Sequence, residues 1–274
     1  MPFRNALENL GRWIGVVLRP PRRRLPPLSR TAITLGIVTL AAVIDCMIMF
    51  DTAASVWARG LPHWFSAAFE EITNLGLSGW FLFPSGFVLL ALAAVMSASL
   101  TRMTQGVLAA LAVRFGFLFL AVGVPGLFVA IVKRLIGRAR PYVDNPDDPF
   151  TYMPFVWRPE FASMPSGHAT TAASAAIAIG AMWPQSRAAM WLYAVVIMLS
   201  RVVVLAHHPS DVIAGALVGA VGALWMRRHF AARGLLFAAG DLQAFAGPSW
   251  RRIKAALGAA ARAVQGKKPE IPMG

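Results

Sequence analysis

Three short polar blocks interrupt an otherwise apolar chain, and they carry the residue types that phosphate-ester chemistry needs. The first is Lys133-Arg134-Leu135-Ile136-Gly137-Arg138-Ala139-Arg140-Pro141, the second Pro165-Ser166-Gly167-His168, and the third Ser200-Arg201 followed by His207 and Asp211. Cations can hold an anion, a histidine backed by a carboxylate can act as a nucleophile, and a second histidine can donate a proton. In the third block Asp211 can fix one imidazole nitrogen of His207 and leave the other free to attack phosphorus. Pro209-Ser210 predicts a turn between them, with Ser210 or Asp211 starting a helix, so the two are not taken as helical neighbours. In the second block Ser166 suits an N-cap, Gly167 permits close backbone approach, and the helix amino end offers free N–H groups to a phosphate, with His168 at the same place as proton donor. In the first block Lys133 and Arg140 are seven residues apart, which predicts two cations on one helical face until Pro141 ends the helix.

A metal site is the competing chemistry for His207, His208 and Asp211. Adjacent histidines point in different directions, and a site ringed by Lys133, Arg140 and Arg201 repels a cation, so neither metal nor cofactor is expected. His208 is read as a packing or lid-facing residue.

The elements that position these blocks follow from composition. Of 274 residues, 57% are hydrophobic and only 14% charged, which is too apolar for an ordinary soluble domain. The net charge of +14 invites a nucleic-acid reading. Of the 26 Lys and Arg, however, seven precede Thr31 and nine follow Met226, so the charge brackets the apolar centre. Basic ends around hydrophobic spans fit two cytoplasmic termini on a bilayer, and nucleic acid is not expected as a partner. The single Cys46 lies in an apolar run and reads as a buried thiol.

Six spans are expected, all helical: near 31–50, 77–100, 114–133, 168–183, 188–206 and 211–225. A cleavable signal is not expected, because the first run is of full spanning length. Arg114 and Lys133 bracket the third span about 29 Å apart on a helix, and Pro125 predicts a kink between them. Gly215 and Gly219 have the spacing that lets two helices approach closely. Asp45, near the outer end of the first span, is read as structural. The chain thus divides into an amphipathic and basic N-terminal segment (1–30), a six-span domain (31–230) and a basic tail (231–274). His168, His207 and Asp211 each fall about 22–24 Å along a helix from a cytoplasmic-side marker, so they converge at one depth below the outer surface. Lys133, Arg134, Arg138 and Arg140 then sit on the outside, where cations are disfavoured without a reason, and are read together as a phosphate cradle. The loop 142–164, with Asp144, Asp147, Asp148, Glu160, Tyr152, Phe155, Trp157 and Phe161, is read as a lid or headgroup selector.

At these residues the chain resembles the type 2 phosphatidic acid phosphatase superfamily, whose pattern is Lys-x6-Arg-Pro, Pro-Ser-Gly-His and Ser-Arg-x5-His-x3-Asp. Lys133, Arg140, Pro141, Pro165, Ser166, Gly167, His168, Ser200, Arg201, His207 and Asp211 match it in order. The N-terminal interfacial helix and the basic cytoplasmic tail are read from the flanking residues alone, and the resemblance covers only about residues 31–228, the six-transmembrane-helix bundle that the spans predict. The resemblance implies metal-independent hydrolysis in which His207 becomes phosphorylated, Asp211 orients it and His168 protonates the leaving group. Lys133, Arg140, Ser166, the Gly167 N–H and Arg201 would bind the phosphoryl oxygens.

Soluble vanadium haloperoxidases resemble the same pattern, but six spans argue against them. The expected substrate is a phosphorylated membrane lipid at the periplasmic face of a bacterial inner membrane. Undecaprenyl diphosphate, phosphatidic acid or phosphatidylglycerol phosphate, and lipid A phosphates all suit it. A phosphotransferase using the same site, and a noncatalytic lipid-phosphate binder or transporter, are the alternatives.

Overall fold

Long apolar runs punctuated by Pro, Gly and Ser fold here into helices joined by short links. The computed structural model describes residues 2–24, 27–97, 99–143, 148–238 and 244–265. In chain order the helices are α1 (Pro2–Leu18), α2 (Arg30–Met49), α3 (Asp51–Arg59), α4 (His63–Asn74), α5 (Gly79–Val95), α6 (Arg102–Ile136), α7 (Gly167–Met182), α8 (Arg187–Val203), α9 (Pro209–Ala232) and α10 (Trp250–Val264). Single-turn 3-10 helices lie at Pro159–Phe161 and Pro184–Ser186, and no strand occurs among the described residues.

Among the described residues, five stretches are long and apolar enough to cross a membrane: Arg30–Met49, His63–Val95, Arg102–Ile136, Pro184–Val203 and Pro209–Ala232. At 35 residues, α6 is about 52 Å long and starts at Arg102, well before the expected Arg114. The helix runs through Arg114 because that guanidinium is satisfied in place, donating to the carbonyls of Ala110 at 3.1 Å and Phe245 at 2.6 Å. Conversely, α7 has only 16 residues, and every one from Ala169 to Ala176 is buried. A helix of alanine, serine and threonine sheathed by protein needs neither a lipid-facing stripe nor full spanning length.

The chain divides into two compact units. One comprises Pro26–Leu82 and Leu120–Arg227. Here α7 packs on α8 through Ala172, Ala176, Ala194 and Ile197. It also meets α9 along the expected glycine seam: a side-chain carbon on Gly215 or Gly219 would lie 2.3 Å from the carbonyl oxygen of Ser166 or Thr170. The hydroxyls of Thr170 and Ser174 donate across that seam to the carbonyls of Gly215 and Gly219, at 3.0 and 3.1 Å. Gly222 lies against the ring of Pro125, which sits inside α6.

The other unit comprises Met1–Leu25, Phe83–Phe119 and Arg228–Gly274. In it α1 is fastened by Asn9 Nδ2, which donates to the carbonyls of Ala93 and Met96 at 2.9 and 2.8 Å. Trp13 lies on Gly116, where a side-chain carbon would approach the indole to 2.0 Å. The segment read from sequence as a basic tail contains α10, whose Ala256 and Ala260 pack with Leu92, Leu100, Val107 and Leu108. Its charge count concealed it: Arg251, Arg252, Lys254 and Arg262 are all exposed, and the buried face consists mainly of alanines.

Candidate active site

His207 owes its position to how α8 stops. Leu205 adopts a left-handed conformation with φ 54°. The N–H groups of Ala206 and His207 both turn back to the Arg201 carbonyl at 3.1 Å. Pro209 then starts α9, and Asp211 in its first turn accepts the His208 N–H at Oδ2, 2.9 Å away, as in a capping box. The expected turn between His207 and Asp211 is therefore present. His207 Nδ1 stands 3.8 Å from Asp211 Oδ2, with the Ser163 hydroxyl 3.5 Å from the same nitrogen and donating to that oxygen at 2.5 Å. This leaves Nε2 as the imidazole nitrogen not directed at the carboxylate. Burial holds the His207 imidazole down at about 4; Asp211 pulls against that, and the charges of Arg201 and Arg140 reinforce it. At neutral pH it is an uncharged base.

On the second block, Ser166 caps α7 by accepting the Ala169 N–H at 3.5 Å. Its own N–H donates to the Asp211 carbonyl at 2.9 Å, which ties the starts of α7 and α9 together. A side-chain carbon built on Gly167 would meet no atom within 4 Å, so the first turn of α7 faces open space. The half-buried His168 lies beside Gly76 in the turn after α4, where an added carbon would come within 2.9 Å of its Cδ2. The charges acting on His168 are those of Arg201, His207, Arg140 and Lys133, so residues from the first and third blocks lie near this one.

Among the described residues, two of these cations keep a buried Nε without a hydrogen-bond partner. Arg201 is held through its NH1, which donates to Thr73 Oγ1 at 2.6 Å, yet its Nε is buried without a hydrogen-bond partner. Arg140 Nε is in the same condition among the described residues. Buried guanidinium nitrogens carry a desolvation cost until an acceptor reaches them, and an anion would supply one.

The first block departs from its expected form. The helix stops at Ile136, and Gly137 reverses the chain at φ 66°, so close to the neighbouring segment that a side-chain carbon would fall 1.8 Å from the Met153 carbonyl oxygen. Residues 138–140 then run extended. Arg138 bridges to Tyr152, Ala139 N–H donates to the Thr151 carbonyl, and Arg140 N–H donates to the Glu160 carbonyl. Lys133 and Arg140 therefore meet by a chain reversal, not by sharing a helical face. Nor are all four cations in the cradle. Arg134 stacks on Trp157, 4.9 Å from its ring centre, and Arg138 is fully buried between Asp51 and Asp211.

Three residues at the site went unnoticed in the sequence. Asp51 directly follows the first expected span, and an acid at the end of an apolar run is a usable signal. Ser163 sits three residues before Ser166 in an irregular segment, and Thr73 carries no signal at all. In the 142–164 loop Trp157 and Phe155 are exposed and Phe161 is buried, while Asp148 accepts from Phe150 N–H and Thr151 Oγ1. Asp144 and Asp147 lie outside the described residues.

Residues 111–234 match the PAP2 superfamily. A lipid A 1-phosphatase of Rhizobium johnstonii is 36% identical over 215 residues, covering 78% of this chain and 86% of the relative. A second lipid A 1-phosphatase, from Rhizobium etli, is 34% identical over 215 residues and covers 78% and 90%. Among solved structures, a PAP2-type phosphatidylglycerolphosphate phosphatase of Bacillus subtilis aligns with a TM-score of 0.46 at 21% identity, covering 70% of this chain and 94% of that one. With the three blocks in order and more than a third of residues identical across most of both chains, this chain belongs to the PAP2 superfamily of membrane lipid phosphatases.

Proposed function

We propose that this enzyme removes a phosphate monoester from a glycolipid of the lipid A class, without a metal, at the periplasmic face of a bacterial inner membrane. The observation that carries the chemistry is the pair of buried Nε atoms of Arg140 and Arg201, unpartnered among the described residues, whose charges act on a neutral His207 that has Asp211 behind it. His207 Nε2 attacks phosphorus in line, the bond from phosphorus to the lipid oxygen breaks, and His168 gives that oxygen a proton. Water, deprotonated by His168, then attacks the phosphohistidine and releases inorganic phosphate. Lys133, Arg140, Arg201, the Gly167 N–H and Ser166 neutralise the equatorial oxygens, where phosphoryl transfer concentrates charge. The same three cations disfavour a resident divalent metal.

The lipid A preference rests on the two Rhizobium relatives. The topology in this reading counts α7 as a sixth crossing and places both basic ends in the cytoplasm, which the seven cations before Thr31 and nine after Met226 support. The test is release of inorganic phosphate by purified protein in detergent, with chelator, from lipid A, phosphatidylglycerol phosphate and undecaprenyl diphosphate. Fastest release from lipid A, abolished in His207→Ala, is expected. Loss of activity with chelator would overturn the metal-free mechanism, equal rates on all three lipids the substrate class, and release that needs an added acceptor lipid would mark a transferase.

A further inference from the structure

Asp211 belongs to a buried ionic network whose other members, Asp51, Arg138 and Ser210, none of these steps uses. Asp51 opens α3, Arg138 follows α6, and Asp211 is in the first turn of α9; all three are 0% exposed. Arg138 donates from NH1 to Asp211 Oδ1 at 2.6 Å and from NH2 to Asp51 Oδ2 at 2.7 Å. Its Nε and NH2 also reach the Pro149 carbonyl at 3.0 and 2.9 Å. Ser210 closes the ring. Its hydroxyl accepts from Arg138 NH1 at 2.7 Å and donates to Asp51 Oδ2 at 2.5 Å, while its N–H donates to Asp51 Oδ1 at 3.0 Å.

A fully buried guanidinium needs one carboxylate, and here it has two. The charge arithmetic explains the second. Paired with Arg138 alone, Asp211 would belong to a neutral unit and exert little field on His207. With Asp51 added, the network carries one net negative charge on the Nδ1 side of the imidazole. That matters at one moment: when Nε2 bonds to phosphorus with Nδ1 still protonated, the ring becomes cationic.

We infer that Asp51 is a positioning residue for hydrolysis, which neutralises Arg138 and grips Ser210 so that the charge of Asp211 remains available to His207 as the Nε2–phosphorus bond forms. This rests on the reading of His207 as nucleophile.

The test uses the full chain in detergent with p-nitrophenyl phosphate, each variant first checked for a single gel-filtration peak and a cooperative thermal transition. Asp51→Asn is expected to lower kcat about 30-fold with KM changed less than about 3-fold. Adding Arg138→Gln restores the net charge of the network, so the double variant is expected to recover at least about 5-fold of the lost kcat. A merely structural role makes the opposite demand, since two broken contacts should be worse than one. A double variant as slow as Asp51→Asn, or slower, overturns the inference. If Asp51→Asn does not fold, Asp51→Glu and Arg138→Lys decide, because both keep the charges. Each should retain kcat within about 5-fold, and a loss beyond about 30-fold in a folded sample overturns the inference. Activity surviving in His207→Ala removes the nucleophile reading itself, and this inference with it.

Discussion

Gly167→Ala separates binding from folding at this site, because the two effects should have opposite signs. The first turn of α7 faces open space at Gly167, where an added carbon meets no atom within 4 Å, and its backbone is not left-handed. Alanine is favoured over glycine in a helix by about 0.5–1 kcal/mol, so the variant should be as stable as the parent or slightly more so. For a chain of this size that is an increase of about 1–3 °C in Tm. The same methyl group occupies the space through which a phosphoryl oxygen would approach the α7 amino end. Losing one backbone hydrogen bond to a charged oxygen costs about 1.5–3 kcal/mol, which is about 10- to 100-fold in kcat/KM. Differential scanning fluorimetry beside initial rates of p-nitrophenyl phosphate hydrolysis reads both quantities on one preparation. Unchanged kcat/KM in a folded variant would show that no phosphoryl oxygen comes to this turn. A drop in Tm of several degrees would show that the space at Gly167 is needed by the protein itself.

Gly215→Ala makes the contrasting case: its carbon would lie 2.3 Å from the Ser166 carbonyl oxygen, so α9 must move off α7. Overpacking of this kind costs about 1–3 kcal/mol, and both Tm (by about 3–10 °C) and activity should fall together; an unchanged Tm would refute the seam. The pH dependence follows from His207. Its native pKa of about 4 lies below the unfolded value of 6.5, so the unfolded chain takes up the proton first. The stability this group contributes is complete above pH 6.5 and is lost as pH falls through 6.5 towards 4, to the extent of about 3 kcal/mol. Thermal unfolding in detergent should show that slope, and kcat/KM corrected for substrate ionisation should keep its acid limb below pH 5. A limb at 6.5 or above would mean that the nucleophile is not held neutral by burial.

The parts of the site legible in the sequence were those whose chemistry demands rare residue types in an apolar chain. A lysine, arginines and histidines inside hydrophobic runs are costly enough to announce themselves, and span counting brought His168, His207 and Asp211 to a common depth. Direction was not legible. Charge alone assigned Arg138 to the phosphate, whereas Gly137 ends α6 and turns that side chain inward to two carboxylates. Partners supplied by distant elements were hidden for a different reason. Asp51 lies 87 positions from Arg138, and Thr73 lies 128 from Arg201, so no local pattern links them. The buried α7 was visible as a run of small residues, but α10 was not, because a face built mainly of alanine leaves a weak apolar signal among arginines.

The clamp between α7 and α9 limits what can move during turnover. Ser166 N–H on the Asp211 carbonyl, the hydroxyls of Thr170 and Ser174 on the next two glycine carbonyls, and direct backbone contact at Gly215 and Gly219 lock the two helices in register. The amino end of α7 and the carboxylate behind the imidazole therefore travel as one solid piece. On the proposed reading, accommodation of lipids with different headgroups would fall to what the clamp does not hold, namely the bond from Arg201 to Thr73 and the aromatic segment beside Arg134. Variation in relatives that changes lipid preference should accordingly concentrate on α4 and that segment, leaving the α7–α9 seam as the invariant frame.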